Sequence, residues 1–260
     1  MLPKPPKDSI TVILNAYSRP EAYPFQLGAI NNQTVQPRHI WTWQNRAPKK
    51  ELHFLRPPKS VLVNSSFNFL FHGRFALGLL AQGRTEYLAF LDDDTIPGKR
   101  WFENCLACMK QRPGLMVGSG HCLLPPDQDQ KGRHWVGWRG PNEQITEVDY
   151  GGHAWFMRTE WLRLFWAFEP VTLENGEDIQ MSAALQYLGG IPTYVPPHPL
   201  NNKDLWCNTI GWHFGRTKYA AHKNPAGGET VKEWRAFRRQ IELELIEKGR
   251  WQPMYMRERS

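Results

Sequence analysis

Short apolar runs alternating with amphipathic stretches organise the first half of the chain. Ile10–Leu14, His39–Trp43, Val61–Val63, Tyr87–Leu91 and Leu115–Val117 are brief and rich in β-branched or aromatic residues. All five read as strands, and the continuous apolar runs Ile10–Leu14 and Tyr87–Leu91 as buried ones. Between them, residues 22–32 and 99–112 read as helices, and Phe71, Phe75 and Leu79 recur every four residues, marking a third. Strand–helix alternation predicts an α/β fold: a mostly parallel central sheet with helices on both faces. The polar stretches 15–19, 44–46 and 92–95 each follow a strand. Ligands of such sheets bind beyond the carboxyl ends of the strands, so these stretches locate the expected site.

The second half is patterned differently. Residues 123–148 are rich in Pro, Gly and Asp and read as a long loop. An apolar block at Gly151–Met157 is followed by a Trp/Phe-rich helix to about Phe168, a helix at Glu177–Leu188 and a strand at Ile191–Val195. Pro196-Pro197-His198-Pro199 makes a turn, Gly211-Trp212-His213 lies in a polar segment, and Thr230–Lys248 reads as an amphipathic helix. Without an internal repeat or a clear linker, residues 1–260 are expected to form one domain: a first half over about 8–120, a second over about 121–220, and a C-terminal helix and tail over about 229–260.

Composition narrows the class. At 41% hydrophobic and 22% charged residues, wholesale disorder is excluded. The net charge of +7 is concentrated early: residues 1–60 hold nine Lys/Arg against Asp8, Glu21 and Glu51. Such a field attracts nucleotide phosphates, an anionic membrane or nucleic acid, although solubility charge looks the same. Cys105 and Cys108 form a CxxC inside a helical pattern with no second CxxC, which reads as core thiols in a reducing compartment rather than a zinc site. The N-terminal stretch lacks an apolar core of signal-peptide type, and no run has the length of a membrane span. The expectation is a soluble, cytoplasmic chain.

Asp92-Asp93-Asp94 carries the most specific chemistry. Adjacent carboxylates after a buried strand repel one another unless a hard cation or a donor cluster offsets them. A solvated Asp-rich turn gives the same letters, but the strand before it and the other strand-end polar groups favour a cation, Mn²⁺ or Mg²⁺. Leu88-Ala89-Phe90-Leu91-Asp92-Asp93-Asp94-Thr95 resembles the strand-plus-DxD element of GT-A glycosyltransferases. Ile10–Arg19, Ile40–Asn45 and Gly151–Phe165 with Glu177-Asp178 match further blocks in order, and the pattern is similar to glycosyltransferase family 2 and to the exostosin-type family 64 catalytic domain.

That resemblance implies a Rossmann-like GT-A fold whose first half binds a nucleotide sugar, UDP-linked, and whose second half faces the acceptor. Position by position, it implies that Ala16, Tyr17, Arg19, Asn45, Arg74, Asp92, Asp93, Gly152 and Arg216 line the donor. Asp94, Asp92 and His213 are implied to hold the metal. Asp178 is implied to activate the acceptor with Glu177 in support, although acids in a first helical turn also complement the helix dipole. Trp135, Trp138 and Trp155 offer rings on which an acceptor sugar could stack, with Trp161 beside them. The implied activity is transfer of a sugar to a hydroxyl of a saccharide or glycolipid. The basic, aromatic composition makes a hydroxymethylated DNA base the rival acceptor, and a non-catalytic binding module of the same fold is the reading from another class.

Overall fold

The computed structural model describes residues 4–45, 61–125, 134–138, 140–215 and 230–257. The described strands form one sheet. β1 (Ile10–Ala16), β2 (His39–Gln44), β3 (Val61–Asn64) and β4 (Tyr87–Leu91) lie parallel in the order β3-β2-β1-β4. β8 (Tyr150–Arg158) runs antiparallel between β4 and β5 (Leu115–Cys122). β9 (Thr193–Val195) continues parallel to β5, and β7 (Thr146–Val148) closes that side antiparallel. β6 (His134–Gly137) pairs with the end of β5. The mostly parallel sheet is as expected. The stretch 123–148, expected to be a loop, instead contributes β6 and β7, two strands too short and polar to show a period.

Period-two packing explains the continuous apolar runs. In β1, Ile13 enters one core with Phe75, Leu88 and Phe90, while Ile10, Val12, Leu14 and Ala16 enter the other with Tyr87, Ala89 and Leu91. Helices α2 (Gly73–Gly78), α4 (Leu162–Ala167), α5 (Glu177–Gly189) and α7 (Val231–Glu247) cover the first face; α1 (Tyr23–Asn31) and α3 (Trp101–Gln111) cover the second. Two short helices complete the described chain, α6 (Trp212–Gly215) and α8 (Met254–Arg257). The helix expected from Phe71, Phe75 and Leu79 is shorter than its spacing suggests. Only Phe75 is fully buried, and a 3₁₀ turn takes over at Leu79–Ala81. Cys105 and Cys108 are core thiols, as expected, with burial pushing Cys108 up to about 12.

Two devices set where the strand-end groups sit. α5 starts after Gly176 (φ 74) and stops at Gly190 (φ 61), both left-handed positions suited to glycine. A Cβ on Gly176 would meet Ile241 Cδ1 at 2.6 Å, so the helix start is fixed against α7. On the other face, α1 sends a glutamine under the acidic turn. The Nε2 group of Gln26, fully buried, donates to the carbonyls of Asp92 (2.7 Å) and Thr95 (2.8 Å). Gln33, just past the end of α1, does the same, donating to Gly98 O (2.7 Å) and accepting from the Phe102 N–H (3.1 Å). Gln26→Leu keeps the volume but leaves both carbonyls without this donor. Each orphaned group costs roughly 1–3 kcal/mol, so urea unfolding should show a loss of about 2–6 kcal/mol at unchanged m-value.

Candidate functional site

The acidic turn is closed by backbone first. The Asp92 N–H donates to His153 O (3.0 Å), as does the Thr95 hydroxyl (2.8 Å), so the end of β4 is tied to β8. Asp93 turns away toward the 17–19 loop. Its Oδ1 accepts from Arg19 Nη1 and its Oδ2 from the Ser18 N–H (3.2 Å), which makes it the anchor of that loop. Asp92 and Asp94 face each other. Asp92 Oδ1 lies 3.2 Å from Arg74 Nη2, and Asp94 Oδ2 lies 3.7 Å from Arg19 Nη2. Their other oxygens, Asp92 Oδ2 and Asp94 Oδ1, each lie 3.8 Å from His153 Nδ1. Among the described residues these three side chains form a group whose ligand atoms all lie within 4.8 Å of one another.

His153 was not among the residues singled out from the sequence. Its segment, Gly151-Gly152-His153-Ala154, drew notice only for its glycines. The histidine sits at φ 67, a left-handed conformation that costs a non-glycine residue on the order of 1–3 kcal/mol. Its ring stacks on Trp138, with centroids 3.6 Å apart and planes 16° from parallel. Its Nδ1 is buried without a hydrogen-bond partner. The chain of α6 passes over Asp94: a Cβ on Gly215 would stand 2.6 Å from Asp94 Oδ2, and Phe214 O accepts from Arg19 Nε at 3.2 Å. His213 is in that helix, stacked on Trp212, and is not part of the Asp92–Asp94–His153 group.

The second pair of acids lies across β8. Glu177 Oε1 is 3.1 Å from Arg74 Nη2, so one buried guanidinium bridges Glu177 and Asp92. Arg74, implied by the resemblance to line the donor, is 2% exposed and lies 4.8 Å over the Trp155 ring. Asp178 Oδ2 accepts from Arg238 Nη2 at 2.7 Å, and Arg238 Nη1 donates to Asn175 Oδ1 at 3.1 Å. Asp178 Oδ1 accepts from the Ile179 N–H at 2.9 Å. Gly152 separates this carboxylate from the acidic turn, its missing Cβ position being 3.7 Å from Asp178 Oδ2. Arg238 lies in α7, sixty residues on, and nothing local in the sequence marks it.

Five carboxylates (Asp92, Asp93, Asp94, Glu177, Asp178) thus share three arginines (Arg19, Arg74, Arg238), leaving two negative charges in excess. Burial pushes Asp92 up to about 6 despite Arg74. Burial, reinforced by the Asp178 charge, pushes Glu177 up to about 7. For Asp178 burial acts upward too, but the Arg238 charge and hydrogen bond outweigh it and hold the carboxyl below its ordinary value. The donor set of two carboxylates and one imidazole fits a borderline divalent ion, whose charge would match the excess when all five acids are ionised.

Other expected positions are placed differently. The Asn45 amide is spent on the next loop, donating to Asn68 Oδ1 (2.6 Å) and Leu70 O (3.0 Å) and accepting from the Phe69 N–H (2.9 Å). Tyr17 is half-buried beside Asn68, and Ala16 is fully buried at the end of β1. Trp155 is 1% exposed and Trp138 5%, so neither offers an open ring to an acceptor; both rings are used in packing. Trp135 is 53% exposed on β6. Arg216 lies outside the described residues, as do Arg46, Lys49, Lys50, Arg56 and Lys59 of the basic N-terminal stretch.

Asp92 and Glu177 hold protons in the folded chain at pH values where unfolded carboxyls have lost them. Stability from this source is complete below about pH 4 and is lost as pH rises through 6 to 7. His72 and His198, which burial holds down to about 4, act the other way and lose stability as pH falls through the ordinary histidine value. The acids are therefore read by difference: without metal, Glu177→Gln should lower the melting temperature more at pH 5.5 than at pH 8, and added Mn²⁺ should raise the wild-type value more at pH 8 than at pH 5.5, which thermal melts in both buffers measure.

No family model matches the chain, and no curated protein matches it in sequence. Solved structures do match. A crystal structure of S. aureus TarS, residues 1–349, aligns at a TM-score of 0.50 and 15% identity, over 74% of this chain and 61% of that one. The structure designated S. aureus TarS aligns at 0.50 and 15%, over 73% of this chain and 36% of that one. The 1–349 structure with UDP-GlcNAc aligns at 0.49 and 16%, over 72% and 58%. The chain thus spans less than two thirds of the neighbours it matches. TarS is a GT-A-type glycosyltransferase, and the sheet order and flanking helices described above are this chain's version of the GT-A fold.

Proposed function

We propose that the chain is a metal-dependent glycosyltransferase that moves a sugar from a UDP-linked donor to a hydroxyl of a saccharide or glycolipid. The observation that carries this reading is the pair of carboxylate oxygens at the end of β4, Asp92 Oδ2 and Asp94 Oδ1, left clear of arginine and facing the same gap. Across Gly152 stands a third carboxylate, Asp178, held ionised. A divalent cation held by Asp92 and Asp94 would offset the charge of a diphosphate as the nucleotide leaves. The chain itself supplies the rest. Arg19 and Arg74 fix the acids from behind, and Asp93 anchors the loop that carries Tyr17. Asp178, with Arg238 and the Ile179 N–H using one lone pair on each oxygen, keeps others with which to accept the acceptor's hydroxyl proton. As that proton leaves, the acceptor oxygen bonds to the anomeric carbon and the bond to the nucleotide breaks. Glu177, pushed toward neutrality and tied to Arg74, positions the helix start rather than taking the proton.

The test is a panel of nucleotide sugars, UDP-linked first, incubated with Mn²⁺ and read by melting temperature and by slow hydrolysis. One member should raise the melting temperature and be hydrolysed. A chain that binds none is not a glycosyltransferase, and one that binds without hydrolysis or transfer is a binding module. With the donor in hand, Asp94→Ala should weaken Mn²⁺-dependent UDP binding about tenfold or more by calorimetry. Asp178→Asn keeps an oxygen for Arg238 and should retain nucleotide affinity while transfer falls about 10²–10⁴-fold.

A further inference from the structure

We infer that His153 is the third protein ligand of the cation and sets its identity, favouring Mn²⁺ and kindred transition ions over Mg²⁺ and Ca²⁺. This rests on the metal reading of the acidic turn proposed above and goes beyond it, because the carboxylates alone would serve any hard cation. Several observations converge on the imidazole. Its Nδ1 points at the one oxygen of each aspartate that no arginine occupies, equidistant from both at 3.8 Å. That spacing is too long for a hydrogen bond, and the nitrogen is buried with no other partner. Donors 2.1 Å from an octahedral ion and at right angles lie about 3.0 Å apart, so the imidazole nitrogen needs to close on each of the two oxygens by less than about 1 Å.

The histidine is also held for the purpose. Its backbone keeps a left-handed φ of 67, while its carbonyl accepts from the Asp92 N–H and the Thr95 hydroxyl. The ring cannot swing freely, because Trp138 lies flat against it, and Trp138 is itself at φ 61 with its N–H on Gly118 O (3.1 Å). Two adjoining non-glycine residues in left-handed backbone persist only where the surroundings over-determine them. A nitrogen donor added to two carboxylates shifts preference away from Mg²⁺, which demands oxygen and keeps its water, toward Mn²⁺ and the later divalent ions.

The experiment compares Mn²⁺ and Mg²⁺ affinities by calorimetry with UDP present, in the wild type and in His153→Gln, His213→Gln and Asp94→Ala, each first shown to be folded by its melting curve. In parallel, electron spin-echo spectra of the Mn²⁺ complex read whether a nitrogen is bonded to the ion. The wild type should show the nitrogen signal. His153→Gln should lose it and lower the Mn²⁺/Mg²⁺ affinity ratio about tenfold, whereas His213→Gln should keep both. A nitrogen signal that survives His153→Gln, vanishes in His213→Gln, or is missing from the wild type overturns the inference. Undiminished Mn²⁺ binding by Asp94→Ala instead overturns the metal reading on which it rests.

Discussion

Five carboxylates brought together out of bulk water are the constraint around which the molecule is arranged. Two unit charges 4 Å apart repel by about 4 kcal/mol at an effective dielectric of 20, and burial adds to that cost. The chain answers with guanidinium groups from three distant places: Arg19 after β1, Arg74 in α2 and Arg238 in α7. The sheet order makes this reachable. β1 lies directly beside β4, so the loop after one strand meets the acidic turn after the other. Each arginine takes up part of the charge and leaves part uncovered. Arg19 satisfies Asp93 and only grazes Asp94, and Arg74 is divided between Asp92 and Glu177. Planar donors held against aromatic rings suit this role better than lysines, since they direct hydrogen bonds without solvation.

The antiparallel strand β8 is what converts the acidic turn into a site. It lays His153 against Asp92 and Asp94 on one side and puts Gly152 under Asp178 on the other. The close packing behind it depends on Gly151, where a Cβ would sit 2.1 Å from Ser119 O. The ladder between β5 and β8 slips between Val117 and Ser119, and Gly118, at that irregularity, accepts the N–H of Trp138. A bulge of this kind re-aims neighbouring side chains, and here the neighbour is the ring that backs His153.

What was legible in the sequence follows from range. β1 and β4 declared themselves because both faces are apolar and buried, whereas the edge strand β3 leaves Val61 46% exposed; the acidic turn and the Glu177-Asp178 pair stood out because each is contiguous. Arg19 and Arg74 came only through likeness to known motifs. Arg238 did not come at all, since its partners Asn175 and Asp178 are about sixty residues away and its helix looks like any amphipathic helix. Tryptophan misled for a related reason. A ring that stacks on sugar and one that fills a core are the same letter, and Trp155 and Trp138 turned out to be packed. Asn45 lost its expected freedom to a turn whose need for an amide donor and acceptor is visible only once Asn68–Leu70 is folded beneath it.

The role of α7 follows from the same charge balance. Read alone, it is a capped helix with a Thr230–Glu233 capping box at its start and an apolar stripe toward the core. Yet its buried positions reach the site twice. Ile241 fills the space over Gly176 that a side chain there would need, which fixes where α5 begins. Arg238, one turn earlier, meets Asp178 and Asn175 on either side of that glycine. Position and ionisation of the candidate base are therefore set by one face of one helix. Loss of α7 would leave Asp178 buried without its cation and Gly176 without its packing partner. Burial would then act unopposed by Arg238, and the carboxyl would drift toward the protonated state that its neighbour Glu177 already approaches. The C-terminal helix is thus part of the candidate active site by electrostatic necessity, although none of its side chains is among the acids that define it.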